Sequence, residues 1–116
     1  MEWSQYPIPA MRLEARFGDR IVPAFAQRPS NIWAMIAEAA ARNPDGEALI
    51  FGRERLTWRE VEQKSMQVAA GFKEIGLKPG DRIALLLGNR NEFVLALYGA
   101  ACLGLVSVML STRQQK

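Results

Sequence analysis

Apolar residues recur along residues 30–110 with a period that changes from segment to segment. Ile32, Met35, Ile36, Ala39 and Ala40 fall at i, i+3, i+4, i+7 and i+8, the single apolar face of an amphipathic helix. Ser30 or Asn31 is placed to cap its start, Arg42 suits the dipole at its end, and Asn43-Pro44-Asp45-Gly46 stops it. Ala48-Leu49-Ile50-Phe51 then reads as a short strand, Gly52-Arg53-Glu54 as a turn and Arg55-Leu56-Thr57 as the returning strand. Thr57-Trp58-Arg59-Glu60 matches the capping box, in which hydroxyl and carboxylate each satisfy a free helix amide. The helix that follows carries Val61, Val68, Phe72 and Ile75 on one side. Ser65 lies on the same stripe, where a small residue suits a close approach of helix to sheet. Gly76 ends it, and Lys78-Pro79-Gly80-Asp81 has the proline and glycine of a type II turn.

Arg82–Leu87 is nearly all apolar, the pattern of a strand covered on both faces. Asn91 is a candidate N-cap for a helix over 92–103, Gly104 a C-cap, and Val106–Leu110 a second apolar strand. Two such strands joined by a helix predict a parallel, right-handed βαβ unit. The fold class expected is therefore α/β: part of a three-layer sheet with one βαβ unit, preceded by a helix, a β-hairpin and a helix. Residues 1–29, with Pro7, Pro9, Pro23 and Pro29 and no sustained period, read as an extended arm with one short helical turn near 11–17. The arm (1–29) and the α/β segment (30–116) are the two expected divisions.

Phe93–Thr112 forms 20 consecutive uncharged residues, close to the length of a membrane-spanning helix. Its character changes at Gly104, from helix-formers to a β-branched stretch, so helix, cap and buried strand are favoured and no transmembrane segment is expected. The N-terminus has no basic region followed by an apolar one, hence no secretory signal, and a reduced cytoplasmic setting fits.

The chain has 116 residues, 15 basic and 12 acidic, with one cysteine and no histidine. Histidine metal sites, histidine general bases and Ser-His or Cys-His nucleophile pairs are thereby excluded, as is an internal disulfide. Neither half carries a long basic block interleaved with aromatics, so nucleic acid is not an expected partner. Thr57 and Glu60 are better explained by the capping box than by catalysis, and Cys102 by burial in an apolar run. Glu60 and Glu62 lie on different helix faces, and Trp3, Trp33 and Trp58 are scattered, which fits packing rather than a ligand site. Neither G-x-x-x-x-G-K-[ST] nor G-x-G-x-x-G occurs, and Gly99 is read as a helix-packing residue. Two places retain functional interest. The loop Gly88–Asn91 follows the carboxyl end of a parallel strand, where α/β sheets bind ligands, and Arg113 follows the next strand, where a guanidinium suits a phosphate.

Four blocks in this order, NIWAMIAEAAARNP (31–44), EALIFGRERLTWREV (47–61), VAAGFKEIGLKPGDRIALLLGN (68–89) and NEFVLALYGAACLGLVSVMLSTR (91–113), resemble the opening of an adenylate-forming enzyme of the acyl-CoA synthetase, or fatty-acid-CoA ligase, type. Gly88 and Met109 stand where such enzymes more usually have proline, and Ser111 where they often have asparagine. The resemblance implies two steps: a carboxylic acid and ATP form an acyl-adenylate and pyrophosphate, and coenzyme A then displaces AMP to give a thioester. It implies Mg²⁺, a Ser/Thr/Gly-rich phosphate loop and a lysine in a small C-terminal domain, motifs that this chain does not contain. On that reading the chain is an N-terminal fragment, inactive alone, with no catalytic residue, no metal ligand and Arg113 as its coenzyme A contact. Uncovered apolar strands are then expected to make it self-associate. A peptide-synthetase adenylation domain, a stand-alone structural or interaction module and a membrane-anchored peptide are the alternatives.

Overall fold

A computed structural model describes residues 7–113, so the expectation for Trp3 lies outside the described residues. The chain divides at Ser30/Asn31 into two compact units.

The first unit is an antiparallel hairpin, β1 (Met11–Arg16) and β2 (Arg20–Phe25), in register from Met11↔Phe25 to Arg16↔Arg20. The helical turn expected near 11–17 is not formed. Polar Arg12, Glu14 and Arg16 alternate with apolar Met11, Leu13 and Ala15, and an alternation of period two belongs to a strand. The chain reverses through Phe17-Gly18-Asp19 with Phe17 at φ 54° and Gly18 at φ 86°. Ala26 N–H donates to Ala10 O at 2.8 Å beyond the ladder. Glu14 accepts from Arg12, Arg16 and Arg28, and these guanidinium groups hold its carboxyl far below the usual carboxylate range, Arg28 most strongly.

The second unit contains three helices and two further strand pairs. α1 (Ile32–Arg42) starts at Asn31, whose side chain accepts from Ala34 N–H at 2.8 Å. Its buried residues are Ile36, Ala39 and Ala40, while Ile32 and Met35 at the start of the same stripe stay about half exposed. β3 (Glu47–Phe51) and β4 (Glu54–Thr57) form the expected hairpin, with a register shift between Glu47 and Leu49. Gly52 has φ +60° at the first turn position, so Glu54 belongs to the returning strand rather than to the turn.

α2 (Trp58–Glu74) begins at the capping box: Thr57 N–H donates to Glu60 Oε2 at 2.8 Å and Glu60 N–H to Thr57 Oγ1 at 3.3 Å. Trp58 and Arg59 N–H donate to the Gly46 and Pro44 carbonyls, which satisfies two further amides of the first turn. Val61, Ser65 and Ala69 are buried. The close approach at Ser65 is to another helix, not to a sheet: a Cβ on Gly99 of α3 (Asn91–Leu103) would lie 3.0 Å from Ser65 O and 2.7 Å from Val68 Cγ1.

β5 (Arg82–Leu85) and β6 (Val106–Met109) pair in parallel, from Arg82↔Val106 to Leu85↔Met109, with α3 as the crossover between them. The Pro79-Gly80 turn feeds β5, Gly80 at φ +90° and Asp81 N–H donating to Lys78 O at 3.0 Å. Gly104, at φ 79°, caps α3. Regular pairing stops at Leu85, and Leu86 and Leu87 continue past it. Expected as a strand covered on both faces, this pair buries Leu85 while Leu86, Val106, Val108 and Met109 remain 43–60% exposed. Two strands and one crossover helix cover only one side. No helix among the described residues is long and apolar enough to cross a membrane.

Candidate functional site

Because β5 and β6 run parallel, the segments leaving their carboxyl ends emerge at the same end of the unit. A cleft of about 530 Å³ opens there. Leu87, Phe93, Met109 and Leu110 form its apolar wall, and Gly88, Asn89, Ser111, Thr112 and Arg113 supply backbone and polar groups. The two places singled out in the sequence, the Gly88 loop and Arg113, thus line one cleft. Ser111 Oγ accepts from the Arg113 N–H at 3.2 Å, a local turn that sets where the arginine leaves the strand. Among the described residues no carboxylate pairs with the Arg113 guanidinium.

The loop itself divides. Gly88 and Asn89 face the cleft, and a Cβ at Gly88 would meet no heavy atom within 4 Å. Arg90, not Asn91, is the N-cap of α3; it offers no side-chain cap and pairs with Glu92 at 3.2 Å. Asn91 is the first helical residue, buried to 6% exposure, and its Nδ2–H donates to Glu54 Oε2 at 2.9 Å. The reason for this departure from the expected cap lies on a strand 37 residues earlier. Phe93, Ser111 and Thr112 were not singled out from sequence. Phe93 carries a signal only once the helix start is fixed, since the third helical residue looks back over the strand end it follows.

Other candidates resolve as structure. The Glu60 carboxyl is held below the usual carboxylate range by the Thr57 N–H and hydroxyl, so both residues serve the helix cap. Burial pushes the Cys102 thiol up, the opposite of what a nucleophile needs. Among the described residues no group of three cysteines or carboxylates is placed to hold a metal ion. The polar rim of the strand-end cleft suits a phosphorylated ligand: a guanidinium, two hydroxyls and a carboxamide, against an apolar wall.

Residues 36–116 match the model of a family described as AMP-binding enzyme. A 2-succinylbenzoate–CoA ligase of Bacillus velezensis is 40% identical over 82 residues, 70% of this chain and 17% of that protein. A long-chain-fatty-acid–CoA ligase of Yersinia pestis is 35% identical over 82 residues, covering 70% of this chain and 15% of that protein. Among solved structures, a Mycobacterium tuberculosis fatty acyl CoA synthetase superposes with a TM-score of 0.70 at 34% identity, over 72% of this chain and 17% of that one. The chain spans about a sixth of the length of the first two curated relatives it matches.

Proposed function

Since the chain belongs to the family of AMP-binding enzymes, we propose that it serves an ATP-dependent acid–thiol ligase that makes acyl-CoA. In the first step a substrate carboxylate oxygen bonds to the α-phosphorus of ATP and pyrophosphate leaves. In the second the sulfur of coenzyme A bonds to the acyl carbon and AMP leaves. The observation that carries this reading is the family match over residues 36–116, a span that includes the cleft-lining residues 87–113. The relatives named CoA ligases, at 35% and 40% identity, support the thioester-forming branch.

Within this assignment the described residues bind and support; none acts as a catalytic residue. Arg113 meets a phosphate of coenzyme A, with Ser111, Thr112 and Asn89 able to add hydrogen bonds at the same rim. No Mg²⁺ or ATP-phosphate contact is assigned to the described residues, among which no three carboxylates or cysteines gather, and the sequence has no phosphate-cradling glycine loop. The setting is cytoplasmic, and the 116-residue chain by itself is inactive. The exposed apolar face and open edges of β5 and β6 lead it to self-associate.

The test is acid-dependent ATP–pyrophosphate exchange and loss of free coenzyme A thiol, measured across a panel of carboxylic acids on the protein with whatever residues its gene encodes beyond Lys116. Both activities are expected. Exchange without thioester would point to another adenylate-forming branch, and no exchange with any acid would refute the reading. Arg113→Ala should raise KM for coenzyme A by about tenfold, the loss of one charge-assisted hydrogen bond, with exchange unchanged. Light scattering during size-exclusion chromatography of the 116-residue chain should give more than one copy; a clean monomer would refute the self-association.

A further inference from the structure

We infer that the Asn91–Glu54 hydrogen bond fixes the Gly88–Asn91 loop, which makes Asn91 and Glu54 positioning residues for the strand-end cleft. Asn91 stands at the start of α3, where an asparagine one residue earlier would cap the helix; here its carboxamide is committed instead to the carboxylate at the tip of the β3–β4 hairpin. The bond joins residues 37 apart in the chain and is part-buried, its Asn91 end 6% exposed and its Glu54 end exposed.

Open space flanks the bond on both sides. On one side of Asn91 a cavity of about 260 Å³ lies between the loop and Leu49, Ile50 and Phe51 of β3. On the other an opening of about 390 Å³ separates α3 from Arg55, Leu56 and Lys64. Asn91 lines both, so the hydrogen bond is a strut between two open spaces. Asn89, two residues before it, lines the cleft with Arg113. A loop released from Glu54 moves Asn89 relative to Arg113 without touching either.

Amide hydrogen exchange on the 116-residue chain tests the strut directly. Asn91→Ala should speed exchange of the first-turn amides of α3, Phe93 among them, by about tenfold, as expected for losing a hydrogen bond to a charged group. Glu54→Gln keeps an acceptor oxygen and should stay close to the parent. Asn91→Asp sets two carboxylates face to face and should loosen the turn, and adding Glu54→Gln to it restores one donor and one acceptor and should return protection. Unchanged exchange in Asn91→Ala, or a double variant no better than Asn91→Asp alone, overturns the inference. Its consequence for the cleft rests on the ligase reading: in the complete protein Asn91→Ala should raise KM for coenzyme A several-fold while ATP–pyrophosphate exchange is kept. A parent protein with no coenzyme A-dependent turnover would defeat the ligase reading, while the exchange result would still decide the strut.

Discussion

Gly99 and Gly71 are both glycines inside helices, and alanine should shift stability in opposite directions at the two positions. An alanine in a helix interior gains roughly 0.5–1 kcal/mol over glycine, because the unfolded chain loses less freedom on folding. At Gly71 a Cβ meets nothing within 4 Å, so Gly71→Ala should keep that gain. At Gly99 the same atom would lie 2.7 Å from Val68 Cγ1, 2.8 Å from Val68 Cβ and 3.0 Å from Ser65 O. Two of those three atoms do not move with a side-chain rotation, so α2 and α3 must part by several tenths of an ångström. Overpacking of this kind costs about 1–3 kcal/mol, which exceeds the propensity gain and leaves Gly99→Ala destabilised by roughly 1–2 kcal/mol. Urea denaturation followed by far-UV circular dichroism, at one protein concentration, reads both variants as midpoint shifts at constant slope. Val68→Ala removes Cγ1 but keeps Cβ, so combined with Gly99→Ala it should recover only part of the loss. A Gly99→Ala protein as stable as Gly71→Ala would mean that the helices do not meet at this point.

Ser65 Oγ is buried with no hydrogen-bond partner among the described residues. Ser65→Ala removes that unmet group and should raise the urea midpoint by about 0.5–1 kcal/mol equivalent; a loss of similar size would mean that the hydroxyl is paired. Glu14 titrates below its ordinary range in the folded hairpin, so its ion pairs contribute fully above the unfolded value near ~4.3 and are lost as pH falls through the acid range below it. Glu14→Gln should abolish that part of the acid transition, followed by NMR of Val22 opposite it; an unaltered transition would remove the arginine cluster from the account.

Residues 31–110 were legible because each element there carries its own local signal. The capping box at Thr57–Glu60, the proline-glycine turn before β5 and the change of character at Gly104 each announce a boundary within a few residues. The first hairpin was missed for an identifiable reason. Its reversal places Phe17 at positive φ, where glycine or asparagine is the usual signal, and Pro23 sits inside β2, which a strand tolerates only where its missing N–H leaves no ladder bond unmade. The overlooked signal was the alternation over 11–16. Asn91 was misread for the opposite reason. Its local context does favour a cap, and what overrides it is a carboxylate 37 residues away that no local pattern reports.

The cleft was legible in part because register, and not only element order, is implied by a parallel crossover. Leu85 faces Met109, and Asn89 lies four residues past the first as Arg113 lies four past the second. The two chains leave the sheet in step, so the amide and the guanidinium reach the same rim. Had the strands paired antiparallel, these residues would leave from opposite ends of a four-residue ladder, about 10 Å apart before either chain began to diverge. A slip of one residue would take the two exits out of step at this end of the ladder. Gly104 at positive φ, the turn at Pro79-Gly80 and the bond from Gly80 N–H to Gly104 O at 2.8 Å pin the opposite end of the pair. The arrangement of the site therefore depends on residues about four positions behind it along each strand, of which Met109 lines the cleft and Leu85 does not touch it.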